Sequence, residues 1–341
     1  MPKLSVVMSV YNGEEYVADA IECILDQTYR DFELVLINDG SKDGSLGIMQ
    51  GYAAKDDRIR IIDQDNTGLT IALRRGVEAA KGDYIARMDV DDVSLPTRFE
   101  KQMALIEERP DLVAVTTDVL HFKEDGPNGG KSRLRQDPRV LPLLLVFSNI
   151  IGGHGQMIYS REAYLKVGGY DPDYNYAEDY DLWTRLADVG PFARVPEFLY
   201  EYRVGHDSIS SLNGSKQAQV AARVSHRQFE KVTGVKIDQS VALAMRSFWL
   251  RLRAEDTSKM MTWHVTTMLL LAVHTFYRNH PEVAHEKYET LRHLSARWWW
   301  RRAEFEGFSP LLRIVVMANV VRLGAAALIA KLRYGGERAP G

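Results

Sequence analysis

One cysteine, Cys23, stands in 341 residues. A single thiol excludes an intrachain disulfide framework and suits a reducing compartment. It falls on the apolar face of a predicted helix and reads as core filler rather than a nucleophile. Charge of one sign is also lacking: a formal net charge of -3 gives no reason to expect nucleic acid as a partner. No charged leader followed by a long apolar core precedes the first strand, so no secretory signal is read and a cytoplasmic location is expected. No repeat or low-complexity tract appears. Neither Gly-X-Gly-X-X-Gly after the first strand nor Gly-X-X-X-X-Gly-Lys-Ser/Thr anywhere is present, which disfavours a dinucleotide fold and a P-loop. Long apolar runs are scarce as well. Residues 260–277 are barely long enough to span a bilayer of about 30 Å and contain His264 and His274. Residues 311–330 are interrupted by Arg313 and Arg322, which argues against a span.

What is present is an ordinary globular composition, 45% hydrophobic and 26% charged, long enough for one large domain with an appendage or for two domains. Residues 4–10 form a compact apolar run of strand type that turns at Tyr11-Asn12-Gly13. A helix follows, with Glu14 and Glu15 in its expected first turn and Val17, Ile21, Ile24 and Leu25 on one face. Residues 32–37 make a second strand ending in Asn38-Asp39-Gly40-Ser41. Strand, helix and strand within forty residues read as a parallel βαβ unit. A third strand at 58–63 leads through Asn66-Thr67-Gly68 into a helix carrying Leu69, Leu73, Val77 and Ala80 along one side. The pattern predicts an α/β fold: an open, mostly parallel sheet with helices on both faces. Residues 120–139, rich in Gly, Lys, Asp and Pro, are expected to loop over the surface.

The fourth strand, residues 84–88, ends abruptly in Asp89-Val90-Asp91-Asp92. Because side chains in an extended chain alternate, Asp89 and Asp91 are expected to project to one side, facing one small volume beyond the sheet edge. Two carboxylates aimed at one spot repel unless something positive lies between them. In open α/β sheets that crevice is where ligands bind. A hard divalent cation carrying a substrate diphosphate would fit, since Mg²⁺ takes one or two protein carboxylates plus phosphate oxygens. Further on, Glu178-Asp179 precede Leu182, Trp183 and Leu186, which places the acid pair at a helix N-terminus, where the amide dipoles favour negative charge.

Together these segments resemble the family 2 glycosyltransferases, inverting nucleotide-sugar enzymes of the GT-A fold. The match runs from Leu4 to about Ser211, in the family's order and spacing. Ser9-Val10-Tyr11-Asn12 is similar to its first nucleotide segment, Asn38-Asp39-Gly40-Ser41 to its second and Asp89-Val90-Asp91 to its metal motif. Glu178-Asp179 resembles its catalytic acid pair, and Tyr202-Arg203 with His206 and Ser210 its closing loop. The resemblance implies that Tyr11 and Asp39 contact the base, that Asp89 holds the ribose or sugar, and that Asp91, with Asp89, ligates Mn²⁺ or Mg²⁺. It makes Asp179 the general base beside Glu178. His206 would reach the metal or diphosphate, although many members carry this histidine one residue earlier, where this chain has Gly205. Where an asparagine is common this chain has Arg74, leaving Arg74 or Arg75 to reach the diphosphate. Adjacent residues cannot share a helix face, and Arg75 is assigned to the nucleotide-sugar site with Ser9, Tyr11, Asn12, Asp39, Gly68 and Asp89.

The implied partners are a nucleoside-diphosphate sugar donor and a glycan or lipid-linked acceptor, as in cell-surface polysaccharide synthesis. The expected domains are 1–211, catalytic, and 212–341, a helical C-terminal extension. Within the latter, Arg297-Trp298-Trp299-Trp300-Arg301-Arg302 suits either the lipid headgroup interface, as a peripheral contact with the inner face of the cell membrane, or a homodimer contact. Two competing functions are a metal-dependent nucleotidyltransferase and a non-catalytic sugar or lipid binder. The first usually has a Gly-rich, basic loop after the first strand, which Tyr11-Asn12-Gly13-Glu14-Glu15 is not. Intact Asp89, Asp91, Glu178 and Asp179 speak against the second.

Overall fold

The computed structural model describes residues 2–123, 126–134, 136–204, 214–250, 259–292, 294 and 325. Contacts divide the chain into two compact units, Met1–Pro138 with Ile151–Gln217, and Arg139–Ile150 with Ala218–Gly341. The segment before Ile151 therefore belongs with the C-terminal helices although the chain on either side of it does not.

In the first unit, β1 (Leu4–Val10), β2 (Phe32–Asp39), β3 (Ile59–Gln64) and β4 (Tyr84–Met88) lie in the order β3-β2-β1-β4, all parallel. Both β1 and β2 are almost wholly buried, which is why they read as continuous rather than alternating apolar runs. The helix Val17–Leu25 buries Val17, Ala20, Ile21 and Ile24, one face at helical spacing. It starts later than the sequence suggests. Glu14 lies in the loop before it and accepts a hydrogen bond from the Gly44 N–H, so it ties two loops together instead of opening a helix. Cys23 donates its thiol to the Ala20 carbonyl, and burial pushes its pKa up to about 11, so it stays protonated.

The chain leaves β1 on one side to build β2 and β3, then returns to β4 on the other. This reversal is the topological switch point of an open sheet, where ligands bind beyond the strand carboxyl ends. The registers Val10 to Asn38 and Met8 to Met88 bring the ends of β1, β2 and β4 to one edge. After β4 come β5 (Val93–Ser94), the helix Arg98–Glu108, β6 (Ala114–Lys123), β7 (Gly126–Ser132), β8 (Ile158–Ser160) and β9 (Phe192–Arg203). Among the described residues the sheet has nine strands, continuing past β4 as β8-β6-β9-β5 with β7 on the flank of β6. The β8 pairings are antiparallel and β6 runs parallel to β9.

The loop expected over 120–139 is in part a hairpin, with Leu120 opposite Lys131 and His121 opposite Gly130. Glycines lower strand propensity, but the ladder is made by main-chain groups and an already extended β6 supplies the template. In the second unit, Leu141–Phe147, Gln239–Trp249 and Lys259–Asn279 share a core in which Phe147 stacks on Trp249 at 4.7 Å. Leu269, Val273 and Phe276 of the last helix are buried in that core. The span weighed for 260–277 is thus not made: among the described residues no helix is long and apolar enough to cross a membrane. The 297–302 run lies outside the described residues.

The turn into β4 leaves no room for a side chain at Gly82, where a Cβ would sit 2.6 Å from the Ser5 nitrogen and 2.7 Å from the Leu4 carbonyl carbon. Gly82→Ala should therefore cost about 1–3 kcal/mol, seen as a lower urea midpoint with an unchanged m-value.

Candidate active site

The edge is built first from two loops bound to each other. Asn12, at φ 50°, accepts the Lys42 N–H through its side-chain oxygen and donates its own N–H to Ser41 Oγ. Gly13 N–H donates to Ser45 Oγ. Tyr11, which follows directly on β1, is 54% exposed, an aromatic face left open at the edge. Asp39, at the end of β2, is buried and accepts from Gln64 Nε2 at 2.7 Å, Thr67 N and Oγ1 at 2.9 and 3.0 Å, and Gly68 N at 2.9 Å. Its carboxylate thus shapes the Thr67-Gly68 turn. Arg75 Nη1 donates to Gln64 Oε1 at 2.9 Å, which links it to Asp39 through Gln64, whereas Arg74 pairs with Glu78 on the exposed side of the helix.

The acids after β4 are arranged differently from the extended-chain expectation. β4 ends at Met88, and residues 89–92 form a turn with Asp92 N–H donating to Asp89 O at 3.4 Å. Strand alternation therefore does not orient these side chains; their partners do. Asp89 pairs at 2.5 Å with Arg87, whose side chain is 1% exposed. Burial works most strongly against that guanidinium charge, but the charge and hydrogen bond of Asp89 together with Tyr170 and Tyr200 outweigh it and hold the Arg87 pKa up. Arg87 is the buried member of the pair, so removing Asp89 would leave a buried charge with less to offset it. Arg87 also donates to the Met88 carbonyl, while its Nε and Nη2 are buried without a hydrogen-bond partner among the described residues.

Asp92 is buried, accepting the Tyr200 hydroxyl at 2.7 Å and the Arg203 N–H at 2.9 Å. Burial, then the charges of Asp89 and Asp91, push its pKa well above the carboxylate range. Tyr200 reaches it only because residue 155 is glycine: a Cβ there would overlap the phenol. Beside this cluster His154 is buried against Tyr170, and burial followed by the Arg87 charge lowers its pKa to about 3, so it is neutral.

The acid pair opens the helix Glu178–Leu186, whose Leu182, Trp183 and Leu186 are buried as their spacing predicts. Glu178 is 6% exposed, its Oε2 without a partner among the described residues. Burial raises its pKa, against the opposing pull of main-chain N–H groups and Arg87. Asp179 is less buried and accepts the Tyr180 N–H. Burial first, then the charges of Asp89, Asp92, Asp91 and Asp179, raise the pKa of the Tyr202 phenol. Ser9, Tyr11, Asn12, Asp39, Gly68, Arg75, Asp89, Asp91, Glu178 and Asp179 all lie in the first unit, and His206 lies outside the described residues.

Residue patterns had not singled out Arg87, Asp92, His154 or Tyr200. Arg87 did carry a signal, as an arginine inside a buried strand is rarely tolerated unpaired. Asp92 and Tyr200 had none, because they meet only across 108 residues of chain.

Hard carboxylate oxygens and a local excess of negative charge suit a hard divalent cation. Among the described residues no group of three or more His, Cys, Asp or Glu is arranged to hold a metal. A cation bound by one or two carboxylates together with diphosphate oxygens requires no such group, so the residues present fit one. A switch-point sheet with an acidic turn after its fourth strand and an acid pair opening a later helix is the architecture of the GT-A fold class. The profile described as Glycosyl transferase family 2 matches residues 5–168. The putative glycosyltransferase EpsE of Bacillus subtilis is 38% identical over 61% of this chain and 75% of its own length. The O-antigen biosynthesis glycosyltransferase WbnJ of Escherichia coli is 34% identical over 60% and 81%. The chain belongs to glycosyltransferase family 2, and it is a glycosyltransferase. Its fold is also that of Staphylococcus aureus TarS 1–349 in complex with UDP-GlcNAc, with TM-score 0.57 at 14% identity over 99% of this chain and 93% of that one. The mannosyltransferase PcManGT of Pyrobaculum calidifontis, in complex with GDP-Man and Mn²⁺, gives 0.51 at 14% over 98% and 87%.

The raised pKa of Asp92 has a sign that can be measured. A carboxyl that binds its proton more tightly folded than unfolded favours folding fully below its unfolded value, near 3.9, and loses that contribution as pH rises through the raised value. The stability of the wild type relative to Asp92→Asn should therefore fall as pH is raised from about 4 towards neutrality. Urea unfolding of both proteins across that range checks it, and a difference that grows with pH contradicts it.

Proposed function

We propose that the enzyme is inverting, transferring a sugar from a nucleoside-diphosphate sugar to a hydroxyl of a glycan or lipid-linked acceptor in cell-surface polysaccharide assembly. What supports this reading is that Asp89, Asp91 and Asp179 all act electrostatically on the Tyr202 phenol, as expected if donor-side and acceptor-side carboxylates border one site. Tyr11 offers its open ring to the base, and the loops ordered by Asn12 and Asp39 receive the nucleoside. Ser9, Gly68 and Arg75 line the path to the diphosphate. Asp91, with Asp89 held by Arg87, would bind Mn²⁺ or Mg²⁺, which when present supplies positive charge to the departing diphosphate. Asp179 takes the acceptor proton, a weak base for an alcohol at rest but an adequate one as the new bond makes that proton acidic. Glu178, buried and facing the Arg87 charge, supports that helix start rather than exchanging protons with solvent.

The polysaccharide assignment draws on the relatives' names, among them the amylovoran biosynthesis glycosyltransferase AmsE of Erwinia amylovora. The donor assignment draws on the solved relatives bound to UDP-GlcNAc and GDP-Man. A nucleotidyltransferase is not pursued, given the family. The basic, tryptophan-rich run at 297–302 extends the proposal to peripheral attachment at the inner membrane face, near a lipid-linked acceptor.

The test is a screen of UDP- and GDP-sugars for turnover with Mn²⁺, Mg²⁺ or EDTA. Turnover should require the cation and disappear in Asp91→Ala; full activity in EDTA contradicts the metal assignment. Asp179→Asn should lower kcat by roughly 10²–10⁴-fold with donor affinity little changed. Loss of donor binding with turnover kept would move Asp179 to the donor site.

A further inference from the structure

We propose that Arg203 is a positioning residue for the cation site, fixing the main chain at Asp91–Asp92 so that the Asp91 carboxylate is held ready for a divalent cation. The inference rests on the reading of Asp91 as a ligand and goes beyond it to what sets the geometry of that ligand.

Inside the turn at 89–92 the bond from Asp92 N–H to Asp89 O is 3.4 Å long, at the weak end of the range. The end of β9 adds shorter ones. Arg203 N–H donates to Asp92 Oδ1 at 2.9 Å and Arg203 Nε to the Asp91 carbonyl at 2.8 Å, while the Tyr200 hydroxyl, on the same strand, takes Asp92 Oδ2 at 2.7 Å. One residue thus grips the turn from both sides of the Asp91–Asp92 peptide, fixing the carbonyl of Asp91 and the side chain of Asp92. Holding that peptide plane restricts, through the adjoining ψ rotation, the directions in which Asp91 can leave the main chain.

The guanidinium is itself held. Its Cζ lies 4.7 Å from the ring centroid of Tyr16 and 4.7 Å from that of Phe122. Tyr16 stands just before the helix that follows the Tyr11-Asn12 loop, and Phe122 pairs with Arg203 in the β6–β9 register. Aromatic contact orients a planar guanidinium and so aims Nε. A lysine can supply the charge but neither the plane nor the Nε hydrogen bond. Through Tyr16 the same contact ties the cation-side turn to the nucleotide-side loop.

The experiment measures Mn²⁺ binding directly, by loss of the free-ion EPR signal, with Mn²⁺ alone and then with UDP and with GDP. Arg203→Lys and Arg203→Met are compared with the wild type, with Asp91→Asn, and with Phe122→Leu, which removes a ring and leaves the arginine. Thermal melts report folding, and metal-free nucleotide binding reports the donor loop. Both Arg203 variants should weaken Mn²⁺ about tenfold, the scale of one lost charged hydrogen bond. Phe122→Leu should fall between them and the wild type. Metal-free nucleotide affinity should not move, and turnover should recover at saturating Mn²⁺. Unchanged Mn²⁺ affinity in the Arg203 variants overturns the proposal. So does loss of metal-free nucleotide binding, which would make Arg203 a donor contact, or a lowered Tm with normal Mn²⁺ affinity in the folded fraction. If Asp91→Asn binds Mn²⁺ as well as the wild type, the ligand assignment fails first and this role for Arg203 fails with it.

Discussion

Three carboxylates follow one another within four residues at the end of a buried strand, and much of the surrounding structure answers the repulsion among them. Each acid meets a different response. Asp89 has a buried guanidinium beneath it, Asp92 is enclosed by a phenol and a main-chain N–H, and the Asp91 carbonyl is bound by Arg203. At an effective dielectric constant near 20, two unit charges 4 Å apart interact by about 4 kcal/mol. That is comparable to the net stability of many domains, so an uncompensated turn of this kind would not keep its shape. The compensation is incomplete, as the upward push of Asp89 and Asp91 on Asp92 shows, and the residual negative charge is the property a cation-dependent site needs.

The enclosure has consequences further out. Tyr200 can reach Asp92 only across a glycine at 155. The second buried arginine, Arg98, donates to Ser94 Oγ and to the Gly155 carbonyl, with its guanidinium near the Tyr200 ring. Burial lowers its pKa to about 10, which leaves it charged at neutral pH. The loops at the ends of β2 and β3 are organised by the same means on a smaller scale, with Asp39 accepting four hydrogen bonds from residues 64–68. Loops ordered before a ligand arrives lose less freedom on binding.

The secondary structure around the switch point was legible because it rests on local pattern. Continuous apolar runs mark β1 and β2, and apolar spacing marks the helices Val17–Leu25 and Leu69–Ala79, so boundaries fell within a few residues. The positions of the acids were legible too, as Asp89 and Asp91 follow β4 directly and Glu178 and Asp179 open a helix. What misled was extrapolation of one element into the next. Strand alternation was carried past Met88 into a turn, and a glycine-rich stretch was read as loop where an extended neighbour made it a strand.

By itself, then, the sequence determined the order of strands and helices, the parallel start of the sheet and the edge at which the acids emerge. These follow from periodicity and from where polar residues interrupt it. Only the tertiary structure decided which groups enclose the acidic turn, because those contacts join distant parts of the chain: Asp92 with Tyr200, Tyr16 with Arg203, and Gly155 with the space Tyr200 occupies. Likewise, nothing local assigns Arg139–Ile150 to the C-terminal unit; a short apolar helix can be buried against either unit. Hydrophobic burial has no direction and hydrogen bonding to a buried acid has a strict one, so the first can be read from composition along the chain and the second only from coordinates.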